Sequence, residues 1–125
     1  MGIVKKDQDL WNIATWNVRG LAGKENELIG EFKRENLDIL GITETKKKGS
    51  GEIEMEGSHL LMYKGVNEDS RAKLGVGCII SKKYKGYISK WIGETERILR
   101  VELKMEENVT IIVWTIWTKP GRNNM

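Results

Sequence analysis

The sequence predicts an α/β fold in which a strand–helix–strand unit is followed by a β-meander. Two apolar runs, at residues 10–18 and 37–42, have the composition of strands. Between them, residues 24–35 carry apolar side chains at the spacing of one face of a helix. Beyond residue 46, short strand candidates are separated by glycine, asparagine or charged residues, which is typical of a meander.

The first predicted strand, residues 10–18, presents its side chains alternately to two faces. Asn17 shares one face with Thr15, and Trp16 lies on the opposite face, where we expect it to be part of the core. Gly20 follows directly and ends the strand.

The predicted helix, residues 24–35, buries one stripe of side chains. Leu28, Ile29 and Phe32 form this stripe, and charged residues supply the opposite face. Asn36 is a stop signal for the helix.

The second predicted strand, residues 37–42, is almost continuously apolar, as expected for a strand covered on both faces. Two strands joined by a helix of this length pair in parallel through a right-handed crossover. Asn17 and Glu44 then emerge from neighbouring carboxyl ends, about 5 Å apart in the pairing direction. Ligands of open α/β sheets collect outside these ends.

The second part of the chain is predicted to contain a flexible loop at residues 46–51 and then five strands. The residues that alternate onto the core face of the fourth of these strands are Leu99, Val101, Leu103 and Met105. A hairpin turn is expected at residues 106–108. The five strands are predicted at residues 59–63, 75–81, 87–91, 98–105 and 109–116.

The composition describes one ordinary globular domain. The chain has 125 residues, of which 39% are hydrophobic and 31% charged, and this excludes disordered and membrane proteins. No signal peptide is visible, and no apolar run approaches the ~20 residues of a membrane span. The net charge of +3 permits a polyanionic partner without requiring one. The single cysteine, Cys78, is expected to be a buried, reduced thiol, so we expect an intracellular protein, nuclear or cytoplasmic.

Asn17 and Glu44 are the candidate residues for chemistry. Mg²⁺ prefers oxygen ligands, retains several waters and takes only one or two carboxylates from the protein. Glu44 is therefore the predicted metal ligand, with Mn²⁺ as an alternative ion. Asn17 is predicted to hydrogen-bond a phosphate oxygen or to supply a second ligand of the ion, and a phosphate ester would complete the shell.

Several basic residues are candidates for contacts with phosphate. Arg19 follows the first strand, Lys46 and Lys47 follow the second, and Arg71 and Lys73 belong to a later loop. Phosphate contacts supply affinity for nucleic acid that does not depend on its sequence. The alternative is that these side chains form ordinary solvated loops, and the sequence leaves both readings open.

Two spaced motifs carry a resemblance to a known family. The segments WNVRGL at residues 16–21 and DILGITETK at residues 38–46 resemble the start of the endonuclease/exonuclease/phosphatase superfamily. The likeness is strongest to endonuclease domains of non-LTR retrotransposons and to craniofacial-development-protein-2-like proteins. Residues 61–65 resemble a strand of the family's second sheet, and residues 75–80 resemble its glycine-rich partner. Residues 97–101 resemble the next strand of the family. In all, the resemblance covers residues 10–113.

This resemblance implies a two-sheet α/β sandwich with helices outside, present here as its N-terminal half. The whole of residues 1–125 would be part of one such domain, with an atypical tail at residues 114–125. It assigns Asn17 as the active-site asparagine and Glu44 as the Mg²⁺-binding glutamate. The implied activity is hydrolysis of a phosphodiester in DNA, and the implied partner is nucleic acid rather than a membrane.

The family's later catalytic motifs have no counterpart in this sequence. The family continues with Tyr-x-Pro, Asp-x-Asn, a second Asn and an Asp-His pair, whereas residues 114–120 read WTIWTKP. His59 is not a substitute for the general base, because it lies before residues 61–65, which resemble the first strand of the family's second sheet. Activity of this chain alone is therefore expected to be weak or absent.

Two alternatives remain open, and the missing motifs support the first of them. One is a non-catalytic remnant that binds a partner chain, or the missing C-terminal half, through an unfinished sheet edge. The other is a phosphatase that acts on a small phosphoester. A frameshift in the gene would explain the Trp-rich tail, and a transcript that ends in frame at Met125 would refute this hypothesis.

Overall fold

The computed structural model describes residues 2–6, 9–71 and 73–115, and it describes side chains from residue 11 onward. The elements, in chain order, are strands β1 (Gly2–Lys6) and β2 (Asp9–Asn17), helix α1 (Glu25–Arg34), strands β3 (Ile39–Thr43) and β4 (Ser50–Glu54), a 3₁₀ turn (Glu56–Ser58), strands β5 (Leu60–Lys64) and β6 (Val76–Ile80), the short helix α2 (Lys82–Lys85), and strands β7 (Ile88–Thr95), β8 (Ile98–Leu103) and β9 (Val109–Trp114).

The larger sheet has six strands in the order β1-β2-β3-β6-β5-β4. Strands β2 and β3 are parallel, with Ala14 opposite Leu40 and Asn17 opposite Thr43. All other neighbours in this sheet are antiparallel. The predicted strand–helix–strand unit is therefore confirmed, with α1 as the connection between the two parallel strands.

The smaller sheet consists of β7, β8 and β9, and all of its pairings are antiparallel. Strands β8 and β9 form the predicted hairpin, with Val101 opposite Ile111. The last residue of the strand predicted at 109–116, Ile116, lies outside the described residues, as does the rest of the tail beyond it. Together the two sheets confirm the predicted α/β sandwich.

The sheet assignment of two predicted strands was wrong. Residues 61–65 and 75–80 resembled strands of the second sheet, but β5 and β6 belong to the first sheet, where β6 pairs with β3. Every residue of β6 is buried. A strand of this kind needs a neighbour on each edge and a layer on each face, and only the interior of the larger sheet supplies both.

The loop predicted at residues 46–51 ends too late, because β4 begins at Ser50. Strand β4 lies at the edge of the sheet, its residues alternate between exposed and half-buried positions, and Ile53 alone among them packs against the core. An edge strand with one apolar residue lacks the alternating apolar pattern by which a strand is recognised in a sequence. Its extended conformation depends instead on its pairing with β5.

The core consists of two apolar layers, one on each face of the larger sheet. The layer between this sheet and α1 consists of Ala14, Val18, Leu21, Leu28, Ile29, Phe32, Leu37, Leu40, Ile42, Met55, Leu61 and Ile79. The layer between the two sheets consists of Trp11, Ile39, Met62, Val76, Cys78, Ile80, Leu99, Val101, Leu103 and Val113. The predicted helix stripe and the core face of β8 are thus confirmed, although Met105 lies beyond the end of β8 and is half-buried.

Among the residues that the structure describes, no helix is both long enough and apolar enough to cross a membrane.

Candidate metal and phosphate site

The candidate site lies where β2 and β3 end. The parallel pairing of the two strands continues past their last residues, since the Gly20 N–H donates to the Glu44 carbonyl at 2.7 Å and the Leu21 N–H to the Thr45 carbonyl at 2.8 Å. Leu21 and Thr45 are almost fully buried, so the segments that leave the two strands are anchored in the core. The backbone beneath the site is therefore fixed by the fold.

Asn17 and Glu44 meet at this edge, as the sequence predicted. The Asn17 Nδ2–H donates to Glu44 Oε2 at 2.8 Å, and the Asn17 Oδ1 accepts from the Arg19 N–H at 3.3 Å. Asn17 is exposed and Glu44 is half-buried, so the pair is accessible to solvent. The meeting of the two side chains is a feature of the structure, and their chemical roles remain predictions.

Three residues at this edge have left-handed backbone conformations. Arg19, Glu44 and Lys46 have φ values of 51°, 57° and 58°. A non-glycine residue pays about 1–2 kcal/mol for this conformation, and such strain concentrates at functional sites. The turns of Arg19 and Glu44 flank the Asn17–Glu44 hydrogen bond, which points to a site whose geometry is held at a cost in stability. Nothing in the composition of these segments predicts positive φ.

The residues at this edge fit half of a Mg²⁺ site. No group of three or more His, Cys, Asp or Glu residues that could hold a metal occurs among the described residues. One accessible carboxylate beside an amide agrees with the way Mg²⁺ binds, through one or two protein oxygens with water and phosphate completing the octahedron. Glu44 would hold the ion and Asn17 would face the phosphate.

A groove between the two sheets opens beside the site. It has a volume of about 540 Å³, and residues of β2 and β3 line it on one side and residues of β9 on the other. Asn17, Thr43 and Trp114 are among the residues that line it. Gly41 lies beneath β9, where an added Cβ would be 3.4 Å from the Val113 methyl groups, an ordinary packing contact.

Trp16 is not part of the core, contrary to the prediction. Its side chain is 36% exposed, and it lines the groove as well as a smaller hollow that includes Arg19 and Lys24. It lies on the α1 face of β2, but the helix covers Ala14 and Val18 and leaves the indole open. Strand alternation identified the face correctly and could not show how far the helix extends over it.

The predicted basic residues are divided between two places. Lys46 is exposed on the segment directly after Glu44, and Arg19 is exposed beside Asn17. Lys47 places its ammonium over the Tyr63 ring, 4.8 Å from the ring centre. Arg71 and Lys73 line a separate pocket at the end of β5, together with Lys64 and Glu96, which the sequence analysis did not select. Lys64 ends β5 immediately before the loop that carries Arg71 and Lys73, and Gly93 of β7 lies against its side chain.

His59 lies at the opposite end of the larger sheet, so it takes no part in this site. It precedes Leu60, which pairs with the last residue of β6, whereas the first residue of β6 pairs with Thr43 beside Asn17. Its ring packs 5.0 Å from that of Phe32, and its Nδ1 accepts the Lys82 N–H at 3.0 Å.

Comparison with known proteins shows relatives in both sequence and fold. No family model matches the chain. The chain is 34% identical over 102 residues to craniofacial development protein 2 of Bos taurus, and 33% identical over 102 residues to that of Tragulus javanicus. Each match covers 80% of this chain and 17% of the relative, so the chain spans about a sixth of the length of these curated relatives.

A crystal structure of an AP endonuclease from Leishmania major has the same fold. The TM-score is 0.63 at 16% sequence identity, and the match covers 86% of this chain and 40% of that one. At this identity the likeness concerns the fold alone. It agrees with the predicted two-sheet fold.

Proposed function

We propose that this chain, which is similar in sequence to craniofacial development protein 2 and in fold to an AP endonuclease, is the N-terminal part of an endonuclease/exonuclease/phosphatase-like domain. In this proposal it supplies half of the site of a Mg²⁺-dependent phosphodiester hydrolase acting on DNA. The observation that carries the proposal is the hydrogen bond of 2.8 Å between Asn17 and Glu44 at the ends of two parallel strands. An amide donor and a carboxylate side by side are suited to a phosphate and its metal ion.

Each residue of the pair has a separate role in this proposal. Glu44 holds Mg²⁺, which, when bound, offsets the negative charge that develops on the phosphate oxygens. Asn17 donates its amide N–H to a phosphate oxygen and so orients the ester beside the carboxylate. The Arg19 N–H holds the Asn17 amide oxygen at 3.3 Å, which keeps the N–H donor turned toward the site. The exposed charges of Arg19 and Lys46 attract the polyanion.

We expect turnover by this chain alone to be slow. The sequence has no Asp-x-Asn and no Asp-His, the motifs that position and activate the attacking water in the family it resembles. Positioned general bases contribute about 10²–10⁴-fold in rate. The pair therefore supports charge stabilisation without an efficient activation of water.

A plasmid-nicking assay tests the proposal. We expect slow nicking in Mg²⁺ that is abolished by EDTA and by Glu44→Ala. Glu107→Ala is the matched control, because Glu107 is an exposed carboxylate in the turn between β8 and β9. Nicking that persists at the same rate in Glu44→Ala would refute the proposal. Hydrolysis of p-nitrophenyl phosphate without nicking would favour a phosphatase of small esters.

A second candidate function is binding of a partner chain through the edge of the smaller sheet. Strand β9 has no neighbour on its outer edge among the described residues, and its side chains Ile112 and Trp114 are 61% and 66% exposed. Unpaired edges with exposed apolar side chains are sites of strand addition. Complete absence of Mg²⁺-dependent nicking would favour this candidate.

A further inference from the structure

A polar pocket lies between the loop that follows β5 and the turn between β7 and β8. It has a volume of about 430 Å³. The side chains that define it, called here the loop pocket, are Lys64, Asn67, Ser70, Arg71, Lys73 and Glu96.

The smaller sheet supports one wall of the loop pocket. The Cβ of Lys64 lies only 2.5 Å from the position that a Cβ on Gly93 would occupy, so the glycine allows β5 and β7 to approach closely there. The Gly75 N–H donates to the Glu96 carbonyl at 3.1 Å, which joins the end of the loop to the turn between β7 and β8. The pocket is therefore built on both sheets.

Three cations and one carboxylate line the loop pocket. The cations are Lys64, Arg71 and Lys73, and the carboxylate is that of Glu96. None of these four side chains forms an ion pair within residues 11–71 and 73–115. Two further carboxylates belong to the same loop, but they do not line the pocket. The Glu68 carboxylate lies beside Gly49, and Asp69 is exposed.

Cations elsewhere on the described surface are largely neutralised by neighbouring carboxylates. Six cationic side chains form ion pairs there, namely Lys33, Arg34, Lys83, Lys85, Lys90 and Arg100. The unpaired cations are concentrated instead at the end of the sandwich that holds Glu44. This asymmetry favours a polyanion at that end.

The loop pocket and the Asn17–Glu44 pair are joined by one short segment of backbone. The Lys46 N–H donates to the Leu74 carbonyl at 2.8 Å, and the Gly49 N–H donates to the Val66 carbonyl at 2.7 Å. Residues 44–49 therefore run from the pair to the pocket. The backbone from residue 44 to residue 49 is about 18 Å long when fully extended, and one strand of DNA carries a phosphate about every 3.4 Å along its axis. The successive phosphates of one DNA strand can therefore contact both places.

We propose that the loop pocket is a second phosphate-binding site, which holds the backbone of the same nucleic acid strand whose reacting phosphate lies at Asn17 and Glu44. This inference rests on the proposed function for the position of the reacting phosphate. It implies a polynucleotide, which carries several phosphates, as the substrate class. Arg71 and Lys73 bind the phosphate, and Lys64 adds charge from the wall of the pocket.

The test measures binding of a fluorescent DNA duplex to the full chain, in EDTA, over a series of salt concentrations. The test variant is Arg71→Gln/Lys73→Gln. Its matched control is Lys82→Gln/Lys104→Gln, since both control lysines are exposed, lie at the opposite end of the sandwich and have no ion pair among the described residues. Each double variant removes two positive charges.

Loss of two phosphate contacts should flatten the slope of log K against log salt by about 1.8 and weaken binding at least about tenfold at low salt. The control variant should keep the wild-type slope. Equal slopes for the two double variants, or no binding of duplex by the wild type, would overturn the inference. Urea denaturation shows whether the double variant is folded. If it is not, the single variants Arg71→Gln and Lys73→Gln are tested instead, and each should flatten the slope of log K against log salt by about 0.9.

Failure of this inference is distinguishable from failure of the proposed function. Because EDTA removes Mg²⁺, duplex binding in EDTA reports on the loop pocket, whereas nicking reports on Glu44. A wild-type salt slope in Arg71→Gln/Lys73→Gln, together with nicking that depends on Glu44, would refute the role of the loop pocket and leave the proposed function intact. A flattened slope without any nicking would support the loop pocket and refute the catalytic role of the pair.

Discussion

A series of three glycine substitutions tests how the structure holds the Glu44 segment in place. Gly75 has a φ of 123°, and a Cβ added to it would lie closer than 3.0 Å to the buried Thr45 Oγ1. Gly23 has a φ of 81° with no atom within 4 Å of an added Cβ. Gly30, inside α1, has the same open space and ordinary helical geometry. The three sites separate backbone strain from a steric clash.

The expected free energies of unfolding follow from these environments. Gly30→Ala should stabilise the chain by up to about 1 kcal/mol, because alanine is the better helix former. Gly23→Ala should cost about 1–2 kcal/mol, since an L-residue is forced into a left-handed conformation. Gly75→Ala adds the displacement of packed atoms, about 1–3 kcal/mol, to a backbone strain of at least the same size. We expect a total loss of about 2–5 kcal/mol, a large part of the stability of a domain of this size.

Urea denaturation followed by tryptophan fluorescence measures all three variants, with m-values compared to confirm that the same surface unfolds. A second substitution, Thr45→Ala, removes the Oγ1 and should lessen the penalty of Gly75→Ala in the double variant. If Gly75→Ala is no more destabilising than Gly23→Ala, the close contact between the loop and the Glu44 segment does not exist, and the geometry assigned to the site is wrong.

Three other predictions concern titratable and buried groups. Burial, followed by the charge of Lys82, lowers the pKa of His59. The free energy of unfolding should therefore be fully retained above about pH 6.5, the unperturbed pKa. Below that pH it should fall, because the unfolded chain takes up the proton more readily than the folded one. A His59→Gln variant with an unchanged pH profile of stability would contradict this. Burial raises the pKa of the Cys78 thiol to about 12. A disulfide reagent should thus modify Cys78 only after denaturant is added, and rapid labelling of the native chain would contradict its position in the core. The buried Asp38 carboxylate accepts the Asn12 N–H at 2.9 Å and lies 3.7 Å from the Lys83 ammonium. Asp38→Asn should lower the free energy of unfolding, measured in urea, by about 1–3 kcal/mol. A loss no larger than that of the exposed control Asp69→Asn would contradict the contribution of these two contacts to stability.

The strand–helix–strand unit was predictable because its periodicities are long and consistent. The helix predicted at residues 24–35 is α1, Glu25–Arg34, and the two flanking strands pair in parallel as expected. This pairing places Asn17 beside Glu44, so the position of the candidate site follows from local pattern and one topological rule.

The features that were missed depend on tertiary packing. The exposure of Trp16 depends on how far α1 extends over β2, and the place of β5 in the larger sheet depends on its partners. The loop pocket joins Lys64 and Arg71 to Glu96, which is distant from both along the chain. The left-handed turn at Glu44 was equally hidden, because sequence pattern predicts positive φ mainly at glycine.

Binding of Mg²⁺ to the isolated chain tests the central claim most directly. The measurement is the free energy of unfolding in Mg²⁺ and in EDTA, for the wild type, Glu44→Gln and the control Glu107→Gln. An ion that binds the folded state alone stabilises it by about 1.4 kcal/mol at a free concentration of roughly ten times its dissociation constant. We predict this stabilisation for the wild type and for Glu107→Gln, and none for Glu44→Gln. The same response to Mg²⁺ in Glu44→Gln as in the wild type would contradict the assignment of Glu44 as the metal ligand.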